Sequence, residues 1–378
     1  MSNLDDLLQQ EFPVADNYLY LNHAGVGPWS SRTGAAVRQF AAQNVDMGAR
    51  DYPAWVEVEQ ALRVSLARLV NAPSPDDIAL LKNTSEALSV VAHGYPWKPG
   101  DNVVLSEEEF PSNRLVWESL ATRGVTVRYV SLQDVPDPEL ALLAAADAQT
   151  RLLSVSTVQY ASGLRMDLRR LGQGCHEKGI AFCVDAIQGL GVLPHDVQGM
   201  QIDFLMADAH KWLLSPEGTA VFYCAARWRP QLALHQFGWH MIEDHYNFNP
   251  HTWKPAASAR RFECGSPNML GIHALTASLS LLEEIGSKEI QRRVLGNAEY
   301  LFAGIRQRPH LQLITRTDEG RYAGIITFRH TQVSDDKLYQ HLMGLNVVCA
   351  KRGGGIRFSP HVYNTHESLE RALDYTEL

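Results

Sequence analysis

Asp185 and Lys211 are the two residues in this sequence whose pairing could do chemistry. Asp185 ends the apolar run IAFCVD (180–185). Lys211 follows the run DFLMAD (203–208) after Ala209 and His210. Both runs read as strands, and IAFCV is apolar throughout, as a strand covered on both faces must be. In an open α/β sheet ligands sit beyond the carboxyl ends of the strands, so an acid and an amine distant in sequence can meet in one pocket. Each residue alone has a plainer role, Asp185 as a turn cap and Lys211 as a solvated amine. Together, with Gln188 and His210 close by, they suit covalent chemistry at an amine.

A buried carboxylate beside a lysine is what pyridoxal 5′-phosphate (PLP) needs. The amine forms a Schiff base with the aldehyde, and the acid keeps the ring nitrogen protonated so that the ring draws in electrons. Desolvation and neighbouring cations are expected to lower the pKa of Lys211 and so supply free amine. A second signal is NTSEAL (83–88), where Asn83, Thr84 and Ser85 precede an apolar-periodic helix and Glu86 follows Asn83 at capping-box spacing. The unpaired amides of a helix N-terminus bind anions, and the same pattern also serves as an ordinary cap. Arg357, in GIRFSP, offers a planar fork that matches a carboxylate.

The elements that must place these groups alternate. Short apolar runs at 102–106, 126–131, 151–158, 180–185, 203–208 and 220–225 are mostly separated by amphipathic helices, which predicts an α/β domain with a largely parallel central sheet. Helices are expected over about 31–45, 54–70 and 270–284. Beyond Gly286, helices at 289–306 and 335–342 flank the runs LQLIT, GIITFRH, NVVCA and GIRFS, a smaller α+β unit. The expected division is an N-terminal segment (1–25) packing with the small domain, a large domain (26–285) and a small C-terminal domain (286–378).

Composition bounds the function. The 378 residues carry 34 Lys and Arg against 42 Asp and Glu, a formal charge of −8. That mild acidity argues against nucleic acid or an anionic membrane as partner. No apolar run reaches the roughly 18 residues of a membrane-spanning helix. The acidic N-terminus resembles neither a signal nor a transit peptide. Five scattered cysteines without C-x-x-C spacing argue against a disulfide framework or a zinc site, so no metal is expected and a cytoplasmic home is. Neither G-x-G-x-x-G nor a P-loop follows the first strand, which disfavours a nucleotide-binding α/β protein.

Eight segments in order carry a resemblance over nearly the whole chain: LNHAG (21–25), LKNTSEAL (81–88), EEFPSN (108–113), VQYASG (158–163), VDAIQGLG (184–191), ADAHKW (207–212), RFECGSPN (261–268) and GGGIRFSPHVYNT (353–365). They are similar to the class V aminotransferase family of fold-type I PLP enzymes, which includes cysteine desulfurases, kynureninase and isopenicillin N epimerase-like enzymes. The resemblance implies that Thr84, Ser85 and His210 hold the cofactor phosphate, joined by Ser266 of a neighbouring copy in a homodimer with shared active sites. It implies that Phe110 lies on the ring face and that Asn113 supports the substrate or the ring; Gln188, in the intact DAxQ, and Gln159 are candidates for the ring hydroxyl, Gln159 equally for a satisfied polar group at a strand end. Arg357 would grip the substrate α-carboxylate. His23, Arg50 and Tyr52 fall in pocket-lining segments, and Lys351 and Arg352 are candidates for a second carboxylate or for plain solvation.

The sequence also departs from its relatives. Desulfurases carry a sulfur-accepting cysteine in a mobile loop ahead of the C-terminal Arg strand, and here that stretch is AKRGGGIR (350–357). Cys349, in NVVCA, reads as buried. Desulfurases place a His on the ring face, where Phe110 has no titratable proton. Asp208 stands where desulfurases have Ser and is expected to face Arg or backbone N–H groups. The expectation is a PLP-dependent enzyme acting on a small amino acid, a transaminase first, with a C–S (cysteine or selenocysteine) lyase or an epimerase as alternatives. A non-catalytic scaffold is a minor one, since Asp185, Lys211 and Arg357 are all present.

Overall fold

The computed structural model describes residues 3–249 and 251–378. The chain opens with helix α1 (Asn3–Glu11) and strand β1 (Leu19–Tyr20), then helices α2 (Ser31–Met47) and α3 (Tyr52–Leu69). A β/α alternation follows: β2 (Ile78–Leu81), α4 (Thr84–Gly94), β3 (Asn102–Ser106), α5 (Ser112–Glu118), β4 (Thr126–Val130), α6 (Pro138–Ala144), β5 (Thr150–Ser156), α7 (Leu168–Lys178), β6 (Ala181–Asp185), β7 (Phe204–Asp208) and β8 (Ala220–Cys224). The last part holds α8 (Met269–Ile285), α9 (Ser287–Arg306), β9 (Leu311–Leu313), β10 (Ile326–His330), α10 (Asp335–Gly344), β11 (Val347–Val348), β12 (Ala350–Arg352), β13 (Gly355–Phe358) and α11 (His366–Asp374).

The large sheet has strand order β2-β8-β7-β6-β5-β3-β4. The five strands from β7 to β4 run parallel, while β8 is antiparallel to both β7 and β2. Its inner strands are buried on both faces, and side-chain alternation divides them. Phe182 and Val184 of β6 enter a core with α3, α7 and α8, whereas Ala181 and Cys183 enter a second core with α4 and α5. This two-sided burial is what made IAFCV apolar without alternation.

The C-terminal part builds an antiparallel sheet of order β12-β13-β10-β9. Strand β1 pairs in parallel with β11, and Leu19 and Leu21 join the core formed by α9, α10 and α11. The run NVVCA is thus split between β11 and a short basic strand, β12, that its polarity concealed. Strands β12 and β13 are joined by Gly353 and Gly354, with φ of 62° and 76°, the two-residue type I′ pattern that glycine adopts without strain.

Candidate active site

Beyond the carboxyl ends of β6 and β7 lies a cavity of about 280 Å³ lined by Asp185, Gln188, His210, Lys211, Phe110, Arg357 and Arg352, with Thr84 and Ser85 at one end. Its size is near the lower end for small-molecule sites.

Lys211 is held by its backbone. The amide of Gly27 donates to the His210 carbonyl at 2.7 Å, and a Cβ on Gly27 would sit 2.3 Å from the Lys211 carbonyl oxygen. Glycine there lets the N-terminal segment close over the lysine turn. The Lys211 side chain is buried, and loss of solvent pushes its pKa down; Arg357 and Arg352 push the same way and Asp185 opposes them. Asp185 is buried too, which raises its carboxyl despite the 3.1 Å hydrogen bond donated by the Ile187 amide.

At the other end, Asn83 caps α4 by accepting the Glu86 amide at 2.8 Å, while Glu86 reaches back to the amide of Lys82 rather than Asn83. The amides of Thr84 and Ser85 have no partner among the described residues, the condition for anion binding. Thr84 Oγ1 accepts the Asp208 amide at 3.0 Å, and the Ser85 hydroxyl donates to Ser112 at 2.7 Å. Asp208 faces His210 Nδ1 at 3.1 Å, not the arginine or backbone amides expected of it.

Phe110 lies open to the cavity, its ring 5.7 Å from Lys211 Nζ and edge-on to Tyr160 at 5.2 Å. Gln188 donates to the Ala24 carbonyl at 3.0 Å and accepts from the Trp212 indole at 2.9 Å, leaving one amide hydrogen uncommitted. Arg357 is 3% exposed. Its Nη1 donates to the Tyr160 carbonyl at 2.7 Å, its Nε has no partner, and burial lowers its pKa to about 10. A buried cation with a free donor calls for an anion.

Several expected residues are not brought here. Asn113 is turned inward by the first turn of α5 and engaged there by three partners: its Oδ1 accepts from Trp117 and Ser154, and its Nδ2 donates to Glu109. His23 donates through Nδ1 to the Ser359 carbonyl and accepts from the Tyr363 hydroxyl, so both ring nitrogens tie the N-terminal segment to the C-terminal part. Gln159 bonds Glu109 and lines a separate cleft of about 600 Å³ beyond the β12–β13 hairpin. Arg50 is solvent-exposed, Tyr52 packs on Trp55, and Lys351 pairs with Asp336. Ser266 lies outside its own chain's cavity, in a groove with Lys82, Glu86 and Asn268.

The sequence reading overlooked Tyr160, Ser112 and Glu109. Tyr160 follows Gln159 directly, in the turn after β5, and lines the cavity that Gln159 does not. One buried cluster, Glu59, His240 and Glu263, has ligand atoms close enough for a metal, yet the Arg63 guanidinium already takes the cation position, donating to both glutamates. All five cysteines are free.

The cavity therefore fits PLP: unpaired helix amides for a phosphate, a depressed lysine, a buried acid and an aromatic face. Over residues 54–372 the chain matches the model of the family "Aminotransferase class-V". A probable cysteine desulfurase of Methanothermobacter thermautotrophicus is 29% identical, covering 96% of this chain and 95% of that protein. The uncharacterized aminotransferase YcbU of Bacillus subtilis is 27% identical over 99% of this chain and 98% of its own. Among solved structures, the cystine C–S lyase C-DES with its product cysteine persulfide superposes with a TM-score of 0.90 at 22% identity, covering 97% of this chain and 99% of that one. This chain belongs to the class V aminotransferase family of PLP-dependent enzymes.

Proposed function

We propose that this protein is a transaminase acting on a small amino acid, with Lys211 as both cofactor-bonding amine and proton carrier. The observation that carries this reading is the convergence of Lys211, Asp185 and the partly unpaired Arg357 on one cavity. When bound, PLP supplies an aldehyde carbon for amine bonding and a ring that draws electrons from the Cα bonds. Thr84, Ser85 and His210 would hold its phosphate, Asp185 its ring nitrogen, Gln188 its ring hydroxyl and Phe110 its ring face. Arg357 grips the substrate α-carboxylate and so orients the Cα–H bond. Burial lowers the pKa of Lys211 Nζ to about 8, which puts free amine within reach of neutral pH to take the substrate Cα proton. Ser266, outside its own cavity, serves the phosphate of a second copy in a homodimer. The net charge of −8 supports neither nucleic acid nor membrane as partner, and five free cysteines fit a cytoplasmic setting. No helix among the described residues is long and apolar enough to cross a membrane.

A second reading is β-elimination by a C–S lyase, favoured by the likeness to C-DES and by the cavity's lack of cysteine. Cys349 is buried and burial raises its thiol to about 12, so it does not serve as a sulfur acceptor. The test is a panel of amino acids assayed for keto acid, sulfide and racemised product. Amino transfer to pyruvate or 2-oxoglutarate supports the transaminase, and sulfide from cysteine or cysteine persulfide from cystine without it supports the lyase. A Lys211→Ala protein that still held PLP covalently after borohydride reduction would overturn both.

A further inference from the structure

Glu109 is a buried acid that the mechanism above does not use. It is 3% exposed, and no cation pairs with it among the described residues. Its Oε1 accepts from the Ser156 amide at 2.8 Å and Gln159 Nε2 at 2.6 Å, and its Oε2 from Asn113 Nδ2 at 2.9 Å and the Ser156 hydroxyl. The Asn113 orientation is fixed independently. The Trp117 indole only donates, so it faces Asn113 Oδ1 and turns Nδ2 toward Glu109. The Ser156 amide and the fixed Asn113 Nδ2 can only donate, one to each carboxylate oxygen, which favours the ionised carboxylate against the burial that pushes the Glu109 pKa up.

An unpaired buried charge is costly and persists where something uses it. Ser156 is the register partner of Asp185 in the parallel pair β5–β6, and adjacent strands lie about 4.8 Å apart. Glu109 therefore stands one strand behind the acid assigned to the ring nitrogen. The titratable groups around Asp185 are Glu109, Lys211 and Asp208, while Cys183, on the same strand, is kept a neutral thiol by burial.

We propose that Glu109 is a positioning residue acting through Asp185: its fixed charge holds the proton on the ring nitrogen of bound PLP across the working pH range. This rests on the PLP reading above. The test is the ¹⁵N resonance of ring-labelled PLP in the holoenzyme, followed from about pH 6 to about pH 9. The wild type should stay protonated throughout. Glu109→Gln should lose the ring proton within that window, its midpoint falling by about one unit or more, a tenfold change. Glu109→Asp, which disturbs the packing and keeps the charge, should retain the proton, an outcome a merely structural role would not produce. If Glu109→Gln does not fold, Gln159→Leu removes one donor from the carboxylate and should move the midpoint the same way by less. An unmoved midpoint in the folded variant overturns the proposal. A colourless wild-type protein would instead overturn the PLP reading beneath it.

Discussion

At the scale of single residues, two arginines face one cavity with different jobs. Arg357 is buried with a free Nε, and Arg352 is exposed with no partner among the described residues. A buried charge-assisted contact is worth about 1.5–3 kcal/mol, so Arg357→Ala should lower kcat/KM about a hundredfold for every amino acid, chiefly through KM. Arg352→Ala should spare neutral amino acids and weaken only those with a second acid group. Steady-state kinetics on alanine, cysteine and glutamate separate the two; equal losses on all three would refute the division. Asp185 and Lys211 were legible because strand ends declare themselves as the limits of apolar runs. Asn113 and His23 were not, because partners remote in sequence, Ser154 and Ser359, decide where those side chains point.

At the scale of elements, the strands of the large sheet could be read because burial on both faces leaves an apolar run. Their order, and the reversal at β8, depend on pairings that no local pattern encodes. The basic strand β12 was hidden for the opposite reason: it lies at a sheet edge, where polar residues belong. Its hairpin is the element that sets Arg352 against Arg357. A Cβ on Gly353 would meet the Ala161 carbonyl oxygen at 2.7 Å, on a backbone with φ of 62°. Gly353→Ala should therefore cost about 1 kcal/mol or more and displace the hairpin. The expected signature is a lower Tm together with a KM that rises more than kcat falls. At α4, Asn83→Ala should cost about 1 kcal/mol of stability through the lost cap and weaken retention of PLP on dialysis, since the same helix end presents the amides of Thr84 and Ser85. Unchanged retention would separate the cap from the phosphate site.

At the scale of the whole molecule, the cores that bury the sheet also bury histidines in neutral form. His195 is surrounded by apolar structure, with the Thr157 hydroxyl at Nε2 and the Leu193 carbonyl at Nδ1. His361 accepts the Val362 amide at Nδ1, so a proton there would face another proton. Desolvation lowers both to about 4 and pushes His23 down as well. An unfolded histidine titrates near 6.5, so below that pH the unfolded chain binds protons that the folded chain refuses. Stability from these groups is therefore complete above about pH 6.5 and is lost as pH falls toward 4, by about 2 kcal/mol for each of His195 and His361 at pH 5. Urea unfolding of the cofactor-free protein should show its midpoint dropping steeply between pH 7 and pH 5. His195→Gln, which removes one titrating ring outside the cavity, should make that drop shallower by about 2 kcal/mol. A slope identical to the wild type's would mean that His195 takes up its proton in the folded chain as readily as in the unfolded one, contrary to the burial that the fold imposes on it.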